Sequence, residues 1–206
     1  MLSRIFARQL SNPSDLIAWL AGWVWNRRNA ALNDTVLGLL DLQPADRVLD
    51  IGFGGGYLLH RMQAVASDGL LAGVDVSPAI VAYTKKRYAQ EITSGSLDLR
   101  CAPVEDLPYP AEYFSKVCSV NSIFYWQDLA RGLAEMLRVL RPGGKAVVCF
   151  TCRKSIEKRG FAKHIRLYEP EKVTQMLATC GFCEIQASTF SDRHRRYVAL
   201  AAAKDW

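Results

Sequence analysis

Two carboxylates and a cluster of glycines carry the chemistry legible in this chain. Asp50 stands just before the turn in Val48-Leu49-Asp50-Ile51-Gly52-Phe53-Gly54-Gly55-Gly56. Asp75 closes Leu70-Leu71-Ala72-Gly73-Val74-Asp75, 19 residues after Gly56. Glycines at 52, 54 and 56 let a backbone turn tightly and approach a ligand with no Cβ in the way. A carboxylate at the tip of a second strand, at this spacing, suits hydrogen bonds from ribose hydroxyls. Asp75 could instead merely cap the next helix, but Ser77 followed by Pro78 is the better cap.

These groups need a strand, a turn and a helix to hold them. Val48, Leu49 and Ile51 supply the strand, and Tyr57 to Ser67 reads as a helix whose N-terminus favours a polar or anionic group. Beyond it, apolar runs and helical periodicity alternate. Strands are predicted near 47–51, 70–75, 97–101, 115–120, 145–150, 183–188 and 197–203. Helices are predicted near 56–67, 78–90, 129–140 and 169–180. The last two strands are joined by a basic segment, 189–196, consistent with a hairpin. The alternation is that of a doubly wound, Rossmann-like α/β fold with a parallel sheet.

Two cofactor classes use this layout. A dinucleotide fingerprint would place glycine at 57, where this chain has Tyr57, which counts against an NAD-dependent oxidoreductase. Val48-Leu49-Asp50-Ile51-Gly52-x-Gly54-x-Gly56 resembles motif I of the class I S-adenosylmethionine (SAM) dependent methyltransferases, and Gly73-Val74-Asp75-Val76-Ser77 resembles their acidic second motif. Further segments resemble the family in the same order: Glu105-Asp106-Leu107-Pro108-Tyr109, Phe114 to Asn121, Leu137 to Lys145, and Cys180-Gly181-Phe182. The resemblance covers residues from about 32 to 203.

That resemblance implies a seven-stranded sheet in the order 3-2-1-4-5-7-6 with strand 7 antiparallel, and N-terminal lid helices. It divides the chain into a lid segment, 1–35, and a methyltransferase domain, 36–206. It implies SAM as cofactor, with S-adenosylhomocysteine as product. Asp50, Gly52, Phe53, Gly54 and Gly56 would lie along the methionine part, and Asp75 and Val76 at the ribose and adenine. Val104 and Glu105 would lie at the adenine edge, and Asn121 near the transferable methyl. Many relatives carry an Asp just before the 104–105 pair. Here Pro103 stands in its place, or Ala102 if the register slips by one, leaving Glu105 or a backbone carbonyl to accept from the adenine. Asn29, Asn33, Ser122, Tyr125 and Trp126 are candidate walls of the acceptor pocket. They could equally be solvent-facing or local packing residues. No residue is identified as a general base: His60, His164 and His194 are scattered.

With 206 residues, half of them hydrophobic, one domain with a two-sided core is the natural reading. No apolar run approaches the roughly 20 residues of a membrane helix. Cys149-x-x-Cys152 and Cys180-x-x-Cys183 have zinc-ribbon spacing. Cys149, however, falls inside a buried strand, so the cysteines read as core residues in a reducing cytosol and no metal is expected. The net charge is +6, and 151–166 holds six Lys/Arg against one Glu. A second basic cluster sits at 193–196. Such a rim would attract an anionic acceptor or an anionic membrane, or simply be a solvated surface. No nucleic-acid module is visible.

The first ten residues are basic and apolar, and Leu16, Trp19, Leu20 and Trp23 fall on one helical face. Residues 1–25 therefore read as a lid, a subunit contact or a peripheral membrane contact of a cytoplasmic protein. The expected function is methyl transfer from SAM to a small or lipid-like acceptor. A non-catalytic SAM-binding domain is the alternative from another class. The sequence does not set the oligomeric state.

Overall fold

The computed structural model describes residues 29–160 and 162–206. The expected lid helix and membrane-contact segment, 1–25, lie outside the described residues. The elements run α1 (Ala30–Leu40), β1 (Arg47–Ile51), α2 (Tyr57–Gln63), β2 (Leu70–Asp75), α3 (Pro78–Arg87), α4 (Ala89–Thr93) and β3 (Leu97–Cys101). Then come β4 (Phe114–Val120), α5 (Leu129–Val139), β5 (Leu140–Thr151), α6 (Arg153–Ile156), α7 (Pro170–Cys180), β6 (Phe182–Ser191) and β7 (Arg196–Lys204).

The seven strands form one sheet in the order β3-β2-β1-β4-β5-β7-β6. The pairs β1–β2, β1–β4, β2–β3 and β4–β5 are parallel. β7 runs antiparallel to both β5 and β6. This is the order and polarity that the resemblance implies. The chain turns in opposite directions from β1, once to β2 and once to β4. The carboxyl ends of those strands therefore border a crevice, where open α/β sheets bind ligands.

Alternation along the strands splits the core in two. Leu49, Ile51, Val117, Val148 and Phe150 face one side, beneath α5 and α7. Val48, Cys118, Val147 and Cys149 face the other, beneath α1, α2 and α3. The amphipathic α1 buries Leu32, Val36 and Leu40 and stops where Asp41 turns left-handed at φ 51°. It runs continuously through residue 35, where the sequence reading divides lid from domain. At the amino end of the sheet, buried Asp46 accepts from Ser115 Oγ (2.6 Å) and from the Gln43 amide (2.8 Å). The Arg47 amide donates to Ser115 Oγ (3.0 Å), so β1 and β4 are pinned together before they reach the site.

Several expected boundaries move: the helix expected over 78–90 ends at Arg87 and is followed by α4, and the strand expected at 183–188 runs Phe182–Ser191. The helix expected over 56–67 ends at Gln63, because Val65 N bonds Met62 O and Asp68 N bonds Pro44 O, turning the chain back. The stretch expected as a helix-to-strand turn at 141–144 is built into β5. Leu140 pairs with Phe114, and the register shifts before Lys116 meets Lys145. Gly143, at φ +68°, absorbs that irregularity.

Gly73 sits in the middle of β2, where an added Cβ would lie 2.6 Å from Phe53 Cδ1 and 2.9 Å from Leu99 Cδ2. Phe53 is the residue the glycine turn sends into the core, so the two positions are packed as a unit. Gly73→Ala is expected to destabilise the fold by roughly 1–3 kcal/mol through overpacking. Urea unfolding would measure this, and an unchanged midpoint would mean that Phe53 repacks freely.

Candidate active site

The turn between β1 and α2 is held from four directions. Gly52, Gly54 and Gly56 take φ values of 78°, 51° and 75°, a region that disfavours any side chain. The Gly52 amide donates to Val74 O (2.8 Å) and ties the turn to β2. The Gly54 amide donates to Asp75 Oδ2 (3.1 Å), while Asp75 Oδ1 accepts from the Ser77 amide (3.0 Å). Thr84 Oγ1 donates to Gly54 O (3.2 Å), and Tyr88 OH to Gly56 O (3.0 Å). Thr84 and Tyr88 were not singled out from the sequence. Their spacing of four on and just beyond α3 was the available signal, but only the fold shows that this face meets the turn.

The room around the turn is uneven. A Cβ at Gly52 would lie 2.5 Å from Ser122 Cβ, and one at Gly56 would lie 2.9 Å from the Tyr88 ring. A Cβ at Gly54 would meet nothing within 4 Å. The turn is therefore packed from below and open at its crest. Val76, just past the tip of β2, is 52% exposed. An apolar side chain so exposed beside a carboxylate is a platform for a flat apolar group.

Asp50 is only 3% exposed. Among the described residues its one donor is the Cys118 thiol, at 3.9 Å. Burial raises the Asp50 pKa from its ordinary 3.8 to about 7; the Asp75 charge adds to this and the Cys118 contact opposes it. Burial also raises Asp75, against the two amides that stabilise its anion. A buried carboxylate with one weak donor and a second that accepts two amides flank the glycine turn. That set suits a ligand carrying both an ammonium and neighbouring hydroxyls.

The opposite wall is built from the end of β4. Asn121, at φ +55°, is a hub. Its Oδ1 accepts from the Thr151 amide (2.8 Å) and Thr151 Oγ1 (3.1 Å), and its Nδ2 donates to Asn29 Oδ1 (2.9 Å). Arg195 extends the chain by donating to Thr151 Oγ1 (3.3 Å). Asn29 and Asn121 thus meet, while Asn33 is buried one turn further along α1. Thr151 and Arg195, far apart in sequence, meet here because β5 pairs with β7 beside the β6–β7 hairpin.

Ser122 Oγ bonds Ser119 Oγ and accepts from Trp126 Nε1 (3.0 Å). Trp126 is buried over Gly132, while Tyr125 is partly exposed, with its hydroxyl pushed up to about 12 by burial. Val104 is buried against Gly132. Glu105 Oε1 accepts from the Gln127 and Asp128 amides (2.7 and 3.1 Å), so this carboxylate braces the loop after β4. The two Cys-x-x-Cys pairs do not converge. Cys149 packs on one sheet face and Cys152 against the core of the other. Among the described residues, no three His, Cys, Asp or Glu side chains are placed to hold a metal ion.

The sequence profile of the Methyltransferase domain family matches residues 49–148, from β1 into β5. The uncharacterized methyltransferase YdaC of Bacillus subtilis is 32% identical over 136 residues, which are 66% of this chain and 73% of that protein. This chain belongs to the class I SAM-dependent methyltransferases. The Ubiquinone/menaquinone biosynthesis C-methyltransferase UbiE of Geobacter sulfurreducens is 36% identical over 103 residues, 50% of this chain and 40% of that one. The chloroplastic 2-methyl-6-phytyl-1,4-hydroquinone methyltransferase of Arabidopsis thaliana is 27% identical over 198 residues, 94% of this chain and 55% of that one. The chain thus spans about half the length of these two relatives. SAM is the cofactor of the family. The buried, donor-poor Asp50 and the open crest at Gly54 fit its ammonium and its close approach to backbone.

Asp50 holds its proton more tightly in the folded chain than in the unfolded one. Stability is therefore expected to fall as pH rises from about 3.8 toward about 7, and to stay level above that. The slope from this one group is at most about 1.4 kcal/mol per pH unit. Asp50→Asn removes this share, so its unfolding midpoint should vary less across the window. Equal pH dependence in the two proteins would place the Asp50 pKa near its ordinary value.

Proposed function

We propose that this protein transfers the methyl group of SAM to a small, lipid-like acceptor of the quinol or phenol type. The observation that carries the reading is the contact between Ser122 and Gly52. The loop after β4 touches the glycine turn, so a ligand lying on the turn is within reach of Asn121 and Tyr125. Cofactor floor and acceptor wall are one packed unit, as group transfer requires and simple binding does not.

When bound, SAM supplies a methyl carbon made electrophilic by its sulfonium. The residues of the chain have the remaining tasks. Asp50 pairs with the methionine ammonium, which favours its ionised form. Asp75 keeps lone pairs for ribose hydroxyls, because each of its oxygens accepts one amide and can accept again. Val76 and Val104 lie against the adenine, with Glu105 supporting its edge by fixing the loop at 127–128. Asn121 orients the acceptor, and Tyr125 lines its pocket as a neutral phenol. Holding acceptor and methyl in line while excluding water can lower a barrier by ~7–11 kcal/mol in favourable cases, with no charged catalytic group needed. Two relatives are named for quinone or phytyl-hydroquinone methylation, and this supports an acceptor with a polar ring and an apolar tail.

The test is incubation with SAM bearing a deuterated methyl group and a panel of quinols, phenols and simple polar metabolites, read by mass spectrometry. Label is expected in a prenylated or alkylated quinol or phenol, and little in polar metabolites. Tight S-adenosylhomocysteine binding without label in any compound would favour the non-catalytic SAM-binding domain.

A further inference from the structure

The carboxyl edge of the sheet carries a basic surface that the proposed reaction leaves unused. The segment after β5 and the β6–β7 hairpin lie side by side there. Cys152 N donates to Arg196 O (2.9 Å) and Arg196 N to Ser155 Oγ (3.0 Å). Some of the local cations are internally occupied. Arg153 pairs with Glu157 (3.3 Å), Arg195 with Asp192 (3.4 Å), and Arg166 donates to the Trp126 and Gln127 carbonyls. Lys154, Lys158, Lys163, Arg193 and Arg196 are exposed and make no ion pair among the described residues.

These five side chains are spread over two segments, and no hydrogen bond to the described residues anchors any of them. They form a diffuse positive surface rather than a socket for one anion. A plane of anionic headgroups attracts such cations one by one, each contributing separately. Single-stranded nucleic acid wants aromatic platforms between its cations. The segments 151–166 and 189–196 hold one aromatic residue each, Phe161 and Phe190, and neither interleaves aromatics with its cations.

The same edge is where the N-terminal sequence joins. Asn29, at the start of the described chain, bonds Asn121 at the end of β4. The 28 residues before it contain Arg4 and Arg8 among apolar residues and the apolar run at 16–25. The basic surface and the Asn121 wall therefore share the carboxyl edge of the sheet.

We propose that this basic surface docks the protein on an anionic lipid bilayer, with the acceptor edge toward the membrane. The proposal rests on the lipid-like acceptor read above, since a molecule of that kind resides in the bilayer. The full chain would be sedimented with phosphatidylcholine vesicles, with and without phosphatidylglycerol, at low and high salt. A second protein would carry Lys154→Glu, Lys158→Glu and Arg193→Glu together. Wild type is expected to sediment with the phosphatidylglycerol vesicles at low salt and to leave them at high salt. The triple variant should bind roughly a hundredfold more weakly or worse. Its calorimetric affinity for S-adenosylhomocysteine should equal that of wild type, which shows that it is folded. Loss of that affinity in both proteins would instead count against the cofactor reading. Equal binding to both vesicle types, equal binding by the variant, or binding to a poly-uridine strand but to neither vesicle would overturn the proposal.

Discussion

The hydrogen bond from the Gly54 amide to the Asp75 carboxylate is the constraint on which the site depends. It joins the turn after β1 to the tip of β2, two points 21 residues apart in sequence. The Ser77 amide takes the other oxygen, so one carboxylate fixes both the turn and the start of α3. Nothing larger than glycine follows the turn easily at positions 52, 54 and 56, because all three have positive φ. The carboxylate thus fixes the path of the turn, and the glycines make that path attainable.

Asn121 performs the corresponding task across the crevice. It joins β4 to β5 through Thr151 and reaches α1 through Asn29, using neutral hydrogen bonds only. One wall is therefore acidic, and the other is polar, with its Arg195 guanidinium paired to Asp192. That asymmetry suits a ligand whose positive charge lies at the Asp50 side and whose reacting partner approaches from the Asn121 side. Further out, the exposed cations of the β5–α6 segment and the hairpin give the rim a positive field. Charge changes sign from the buried floor to the exposed edge.

Much of this was legible in the chain. The strands at 47–51 and 70–75 have the bounds their apolar runs suggest, because buried parallel strands are written as short continuous runs, and 97–101 alternates as an edge strand does. The strand order came from resemblance, since local sequence carries no pairing information. The pieces that escaped are tertiary. Cys118 meets Asp50 across 68 residues, Thr84 meets Gly54 across 30, and Arg195 meets Thr151 across 44. Glu105 could be placed near the adenine edge by position, but its commitment to the Gln127 and Asp128 amides depended on how the loop after β4 returns. Gly143 shows the same limit at the backbone level. Its identity announces a turn, yet the partner strand decides that the turn is an irregularity within β5.

The most direct measurement is calorimetric titration of S-adenosylhomocysteine into wild type, Asp75→Asn and Asp75→Ala, with unfolding curves recorded for each. Wild type should bind in the micromolar range. Asp75→Asn can still accept hydrogen bonds but has lost the charge that strengthens them, so it should bind about tenfold or more weakly. Asp75→Ala should show no measurable binding while still unfolding cooperatively. Equal affinity in all three folded proteins would contradict the account, because the carboxylate that shapes the turn would then have no part in holding the cofactor.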